Sequence, residues 1–308
     1  MIVLTSSMCR GIASLMVAVG LFLSAVAHSD DSLDQITVQA QRDREKLKRD
    51  VDDFVSAAMA KSHDESLMRW DHPMCPLVAG LDREPAEFVL FRLSEIARAA
   101  HVPLGKEKCK PNFFVIVAQK PGAFLKLLWR RKPRLFDTTD GIVPVKRFID
   151  SSRPIRIWYN ASDIGVDGGV AFTSALAESA GIGMGMVDYP VQAAPSSLAS
   201  RLTRPVVKNI DSAIVVVDPK EVHALNIGQL VDYIALIGMA QINLDKDLGP
   251  APSILKVFNA SETSPPLEMT VWDKALLHAL YSTPQRSVTQ LSQMETAALR
   301  DISAKQHN

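Results

Sequence analysis

Residues 211–218, DSAIVVVD, are followed after a short connection by residues 227–242, IGQLVDYIALIGMAQI. The first segment contains an unbroken run of isoleucine and valine, which is typical of a strand buried on both faces. The second segment is apolar on nearly every side over about four helical turns, and this pattern predicts a buried central helix. Together the two segments predict a sheet with helices packed against it.

Three more strands are predicted nearer the N-terminus, at residues 76–80, 112–118 and 153–159. The second of these, NFFVIVA, is rich in β-branched and aromatic residues. The third, RPIRIWY, alternates two kinds of side chain, with isoleucine and tyrosine on one face and arginine and tryptophan on the other. With residues 211–218, these segments predict a mixed sheet of about four strands.

Apolar residues recur at spacings of three and four in most of the remaining segments, which predicts helices around the sheet. Asp82 is the predicted cap of one helix, and Thr270 is the predicted N-cap of another, with Asp273 at its third position. The predicted helices are 35–61, one that begins after Asp82, 121–131, 253–258, 269–281 and 287–303. We therefore expect an α+β fold over residues 28–308, as a single globular domain with a helical C-terminal half.

The least regular stretch of the sequence runs from Asn160 to about Pro205. It contains Gly181-x-Gly183-x-Gly185, but this pattern does not follow directly on a predicted strand, as a dinucleotide-binding loop would. We expect a long surface loop with glycines at its turns. Long loops in compact domains often carry function, so this segment is a candidate flap or binding loop.

The charge balance of the 308-residue chain is even, with 34 basic and 34 acidic residues. This balance argues against a nucleic-acid-binding protein, because that class needs a basic face. The densest basic cluster, residues 129–134, lies at the end of a predicted helix, where cations complement the helix dipole. A solvated helix end is the expected role of this cluster, and an anion site is the alternative.

Residues 1–27 have the features of a secretory signal peptide. Arg10 is their one charged residue, an apolar run follows it, and the segment ends in Ala25-Val26-Ala27. We expect cleavage after Ala27 and a periplasmic or secreted protein. A retained membrane anchor is the alternative, although the apolar stretch is shorter than the roughly 20 residues that span a bilayer. No transmembrane segment is expected in the mature chain.

Two of the three cysteines, Cys75 and Cys109, lie beyond the predicted signal peptide. An even pair in an exported protein predicts one disulfide bond. Two buried thiols are the alternative. A metal site is not expected, because the two cysteines lack the close spacing of cysteine pairs that bind zinc.

The sequence carries no complete motif for a known chemistry. A nucleophile elbow of the G-x-S-x-G type and a phosphate-binding P-loop are both missing, and the histidines form no local pair of the H-E-x-x-H type. We expect no bound cofactor and no metal. If the protein is an enzyme, its active site is dispersed along the chain, and the candidate catalytic residues are Asp232, His223 and His278.

The C-terminal half resembles metzincin peptidases. Met269-Thr270-x-x-Asp273, followed by Leu280-Tyr281, is similar to the last helix of that family. The central helix fits the frame H-E-x-x-H-x-x-G-x-x-H when its glycine is Gly238. The resemblance implies a zincin-like fold, with a sheet in front of the central helix.

In that frame, the zinc-binding positions are occupied by Val231, Ala235 and Gln241, and Asp232 takes the place of the glutamate. Zinc needs three protein ligands and an open position, and neither valine nor alanine can bind it. The resemblance therefore implies a peptidase-like scaffold without a zinc site, which is the pattern of a pseudoenzyme.

Several segments also resemble an uncharacterised family of secreted proteobacterial proteins. They are the segments at 75–81, 109–113, 155–160, 228–233 and 253–255. This resemblance brings no known activity, but both cysteines lie in the segments that carry it. Separately, residues 36–42 are similar to the opening of the plug of TonB-dependent receptors, which suggests an envelope partner.

These observations suggest three functions. The favoured one is an exported, non-catalytic binding or accessory protein, on a degenerate peptidase-like scaffold. The alternative is an envelope hydrolase with a dispersed active site around Asp232 and a histidine. A third idea, an accessory protein of outer-membrane transport, rests on residues 36–42 alone.

Overall fold

The computed structural model describes residues 29–59, 66–136, 141–165, 203–259 and 262–306. The predicted signal peptide lies outside these residues. The chain divides into two compact units, residues 1–49 and residues 50–308. In the first unit, the described residues belong to the N-terminal part of one long helix. The second unit contains the end of that helix and every other described element.

The described helices are α1 (Ser29–Ala58), α2 (Arg83–Ala99), α3 (Pro121–Arg131), α4 (Val143–Asp150), α5 (Ile227–Met239), α6 (Val271–Ser282) and α7 (Gln290–Gln306). The described strands are β1 (Pro76–Ala79), β2 (Phe113–Val117), β3 (Ile155–Ile164) and β4 (Val207–Val217). Two short 3-10 helices occur at Pro133–Leu135 and Ile254–Phe258.

The four strands form one mixed sheet in the order β1-β2-β4-β3. β1, β2 and β4 are parallel, whereas β3 runs antiparallel to β4. β2 and β4 occupy the centre, with Phe113 paired to Ala213 and Val117 paired to Val217. Their side chains are apolar in near-continuous runs because helices cover both faces of the sheet. The predicted α+β fold, with its mixed four-stranded sheet, is confirmed.

Helices α3 and α4 cover one face of the sheet. Their apolar side chains form a core with alternate residues of β4, and side chains of β2 and β3 pack around it. The buried members are Leu125, Phe136, Val145, Phe148, Ile149, Ile214 and Val216, and Phe114, Ile116 and Trp158 are among the partly buried residues against them. The even-numbered residues of β2, of β3 up to Asn160 and of β4 from Ser212 onward therefore point toward α3 and α4.

Helix α5 lies against the other face and is the buried central helix that the sequence predicts. Every residue from 231 to 240 is buried. The helix begins with a capping box, in which the Asn226 side chain accepts from Gln229 N and the Gln229 side chain accepts from Asn226 N. Its apolar residues surround the full helix circumference, because the sheet covers one side and other helices cover the rest.

The last carbonyl groups of α5 have no partner within the helix, yet they are buried and must be hydrogen-bonded. Three aromatic side chains satisfy them. Trp70 Nε1 donates to Gly238 O at 2.8 Å, and Tyr281 Oη donates to Met239 O at 2.6 Å. Tyr159 Oη donates to Ile237 O at 2.5 Å, and burial raises the pKa of this phenol. The end of α5 is thereby joined to β3 and α6.

The structure corrects the boundaries of the two strands that flank the predicted loop between Asn160 and Pro205. β3 continues to Ile164 rather than ending at Tyr159, because it pairs with β4 beyond a register shift at Asn160/Ala161. β4 likewise begins at Val207, four residues before the predicted strand. Residues 166–202, which include the candidate flap, lie outside the described residues. Residues 36–42, which resemble a receptor plug, lie within α1.

No helix in the described part of the chain is long and apolar enough to cross a membrane.

Candidate functional site

Asp232, the first candidate catalytic residue, lies on α5 with a side chain that is 0% exposed. Its carboxylate accepts two hydrogen bonds from one guanidinium: Arg92 Nε lies 2.5 Å from Oδ1, and Arg92 Nη2 lies 2.7 Å from Oδ2. The backbone N–H of Met269 also donates to Oδ2, at 2.6 Å. The hydrogen bond to Asp232 raises the pKa of Arg92. Asp232 therefore links α2, α5 and the segment that precedes α6.

The two candidate histidines lie in other local networks. His223 is exposed, and its Nδ1 lies 2.5 Å from the carbonyl oxygen of Lys220. His278 is on α6, with Nδ1 2.5 Å from Asp301 Oδ2 of α7 and its ring 5.5 Å from that of His101. Among the described residues, no hydrogen bond joins Asp232 to either histidine. The three candidates are thus not brought together by hydrogen bonds in this part of the chain.

The three residues at the zinc-ligand positions of the metzincin frame do not lie together in an open site. Val231 and Ala235 are fully buried in the core, and Gln241 lies beyond the end of α5. Within the described ranges, no group of three His, Cys, Asp or Glu side chains is placed to hold a metal ion.

Gly238, the glycine of that frame, lies where α5 packs closely against Phe113 of β2. A Cβ atom at this position would lie 2.3 Å from Phe113 Cζ and 2.8 Å from Phe113 Cε2, far inside contact distance. The Gly238 carbonyl also accepts the hydrogen bond from Trp70. A packing requirement between helix and sheet therefore accounts for this glycine.

Replacing Gly238 by alanine is expected to lower the free energy of unfolding by about 1–3 kcal/mol, because the new methyl group displaces the Phe113 ring. Alanine has the higher helix propensity, so a loss of stability isolates the packing effect. Urea unfolding of the single variant, of Phe113→Leu and of the double variant provides the measurement. The double variant should lose less than the sum of the single losses. An additive result would contradict the assigned contact.

Asp273 is a second buried carboxylate, and it too has structural partners. It receives hydrogen bonds from Ser253 Oγ at 2.5 Å, Ile254 N at 2.9 Å and Thr270 N at 2.9 Å. Burial raises the pKa of Asp273, and these hydrogen bonds act in the opposite direction. The predicted cap is confirmed, since Thr270 and Asp273 form a capping box at the start of α6.

The Cys75–Cys109 disulfide is present, with a Cα–Cα distance of 6.0 Å. Cys75 directly precedes β1, and Cys109 lies shortly before β2. Gly105 is packed against the bridge, because a Cβ there would lie 2.6 Å from Cys109 Sγ. The bridge closes the segment that contains α2, so it holds this helix beside the start of the sheet.

A cavity of about 590 Å³ lies along β3, and we name it the β3 groove. Its floor is residues 155–159 of the strand. One wall comes from α4 and the residue after it, and the other from residues 241–245 after α5. The α4 wall consists of Pro144, Arg147, Phe148 and Ser151, and Ser66, Arg153 and Lys208 complete the lining. Gln241, the third position of the metzincin frame, thus belongs to this groove.

The β3 groove is basic. Arg147, Arg153, Arg156 and Lys208 line it, whereas Asp245 is the one acidic residue among the lining residues described. Arg153 Nη2 lies 2.5 Å from Asp245 Oδ1 at the exposed rim, where both side chains remain accessible to water. This pair neutralises one cation. Arg147 and Arg156 are the other two arginines of the lining, with the carboxylates of Asp150 and Asp218 near Arg156, and their charge can attract an anionic ligand.

Arg156 lies on the α4 side of the groove. Its Nη1 donates to the carbonyl oxygen of Ile149 at 3.0 Å. Its Nε is buried and has no hydrogen-bond partner in the described part of the chain. Burial lowers the pKa of this guanidinium. The group nevertheless stays cationic, since arginine is not deprotonated in proteins.

A smaller cavity of about 330 Å³ adjoins the groove. The two share Arg153, Ile155, Asn243 and Leu244, and the smaller one extends toward Tyr233 and Phe258. Burial raises the pKa of the Tyr233 phenol to about 12. The combined surface offers aromatic, amide and cationic groups, which suit an extended ligand better than a small apolar one.

The groove was not predicted from the sequence. The alternation of residues 153–159 correctly indicated a strand with arginine on one face, but nothing local placed residues 241–245 beside it. Arg147 belongs to α4, a helix that the sequence analysis did not predict. The densest basic cluster of the sequence, residues 129–134, does not line the groove.

No protein-family model, curated protein or solved structure matches this chain.

Proposed function

We propose that the protein is an exported, non-catalytic binding protein that holds an acidic segment of an envelope partner in the β3 groove. The observation that carries the proposal is the charge of the groove, in which four basic side chains accompany one acidic residue. The chain as a whole has no net charge, so this local excess is not a consequence of overall composition. Complementary charge steers an acidic partner to such a surface.

Two observations support the export of the protein. The N-terminal 27 residues have the charge, apolar run and small-residue end of a signal peptide. The two remaining cysteines form a disulfide bond, and such bonds persist mainly in oxidising compartments. On this basis we place the protein in the periplasm or outside the cell, with cleavage after Ala27.

The non-catalytic part of the proposal rests on the surroundings of Asp232. A general base needs a carboxylate oxygen that can reach a substrate proton. Both oxygens of Asp232 are held by Arg92, and one of them also accepts the Met269 N–H. The degenerate peptidase-like scaffold is proposed from the sequence resemblance, with Val231 and Ala235 in place of two zinc ligands. The alternative, a hydrolase at Asp232, requires Arg92 to leave the carboxylate.

The proposed function is tested with a fluorescein-labelled octapeptide of alternating glutamate and valine. Fluorescence anisotropy should show that the purified protein binds it, and that added NaCl weakens the binding. The variant Arg147→Glu/Arg153→Glu should bind at least about tenfold more weakly, because two attractive contacts become repulsive.

The matched control is Arg130→Glu/Arg131→Glu, which changes the net charge by the same amount in the exposed basic cluster outside the groove. It should keep most of the affinity. Thermal unfolding of both variants checks that they remain folded. The proposal is overturned if the wild-type protein does not bind the peptide, or if the control loses as much affinity as the groove variant.

A further inference from the structure

Among the described residues, no strand pairs with the outer edge of β3. The strand order places β3 at the end of the sheet, and in the described part of the chain it pairs with β4 alone. In an antiparallel ladder, alternate residues of an edge strand direct their N–H and C=O groups away from the partner strand. Those groups offer hydrogen bonds to any extended chain that lies beside them.

The β3 groove follows this edge. Its floor is residues 155–159, which span about 16 Å at the usual rise of a strand. Tyr159 is the last residue of β3 that lines the groove. The open length suits a peptide segment of about five residues.

The two walls stand on opposite faces of the sheet. Trp158 packs against Phe136 and Phe148, so the even-numbered positions face the α4 wall. Tyr159 donates to carbonyl groups at the end of α5, so the odd-numbered positions face the wall formed by residues 241–245. A strand added between these walls would continue the sheet, with its side chains directed alternately toward each wall.

Basic residues lie on both sides of the β3 groove. Arg147 belongs to the α4 wall, and Arg156 is an even-numbered residue on the same face. Arg153 and Asp245 form the ion pair on the opposite side, beside Leu244. An extended peptide with acidic side chains would therefore meet Arg147 and Arg156 on the α4 side of the groove. On the opposite side it would meet Arg153, which is paired with Asp245.

We propose that an extended acidic peptide segment of the partner adds to the β3 edge as a fifth strand, with its acidic side chains against Arg147, Arg153 and Arg156. The inference rests on the proposed function and specifies its binding mode. Main-chain hydrogen bonds to β3 supply affinity that is independent of sequence, and the basic walls supply selectivity for acidic segments. A second copy of this chain is a poorer occupant, because two basic grooves would face each other.

The test uses a set of the same glutamate–valine octapeptides, each N-methylated at one backbone position. Strand addition predicts an alternating pattern, because only every second peptide N–H faces β3. Methylation at those positions should weaken binding by about two- to tenfold, the cost of one hydrogen bond, and methylation at the others should change it little. The unmethylated peptide should also slow amide hydrogen exchange within residues 155–159.

The outcomes separate the two proposals. Binding that depends on Arg147 and Arg153 but shows no alternation and no added exchange protection overturns strand addition and leaves the proposed function standing. Failure of the unmethylated peptide to bind overturns both. A protein dimer, seen by sedimentation, whose contact protects residues 155–159 and excludes the peptide would also overturn the proposal. Alternation together with protection of the β3 edge supports it.

Discussion

Replacement of Arg92 by methionine is expected to lower the free energy of unfolding by about 3–5 kcal/mol, the usual cost of leaving a buried charge without its partner. Asp232 is 0% exposed, and two of its three described hydrogen bonds come from Arg92. Once these are removed, its charge retains only the N–H of Met269. Methionine preserves most of the aliphatic volume of the arginine side chain, so the loss reports on the charge.

The matched control is Arg98→Met on the same helix. Arg98 is paired with Glu95 at the surface, where both side chains are more than half exposed to water. Such exposed pairs contribute between zero and about 1 kcal/mol. Urea unfolding of both variants at constant pH gives the comparison. A second pair, Asp232→Leu alone and combined with Arg92→Met, measures the coupling, and the double variant should lose less than the sum of the single losses.

Equal and small losses for Arg92→Met and Arg98→Met would contradict the buried ion pair. Such a result would also bear on function, since an Asp232 carboxylate that is not held by Arg92 could act as a general base. A large loss for Arg92→Met would instead agree with a structural role of Asp232. The experiment therefore tests the structural role of Asp232, with which the alternative hydrolase at this residue conflicts.

Removal of the disulfide has the second largest expected effect. The double variant Cys75→Ala/Cys109→Ala should lose about 3–4 kcal/mol of unfolding free energy, because its unfolded chain regains the entropy of a free loop. The bridge joins residues 34 positions apart, and the closed segment includes all of α2. Arg92 lies on that helix, so a loosened α2 would also weaken the ion pair with Asp232.

The disulfide prediction is checked by urea unfolding of both proteins with and without a reductant. Reduction should destabilise the wild-type protein toward the level of the double variant, whose own stability should not respond to the reductant. If the wild-type protein is equally stable in both conditions, the bridge either does not form in solution or does not constrain the chain. Mass determination after alkylation of free thiols separates these two results.

The sequence by itself determined most of the secondary structure and part of the local chemistry. Apolar runs and spacings of three and four predicted the strands β1, β2 and β4 and the helices α2, α3, α5 and α6, because these patterns depend on residues close together in the chain. Thr270 and Asp273 were recognised as a cap for the same reason. The even number of cysteines after the predicted signal peptide indicated the disulfide.

The tertiary structure decided what the sequence could not. Arg92 and Asp232 are 140 positions apart, so no local pattern could show that the candidate catalytic carboxylate is held in an ion pair. The last residues of β3 lack a strand signal of their own and become a strand by pairing with β4. The β3 groove is assembled from α4, β3 and residues 241–245, which only the fold brings together. Short-range periodicity fixes the elements, whereas charges and hydrogen bonds between distant residues fix the sites, and those depend on how the elements are packed.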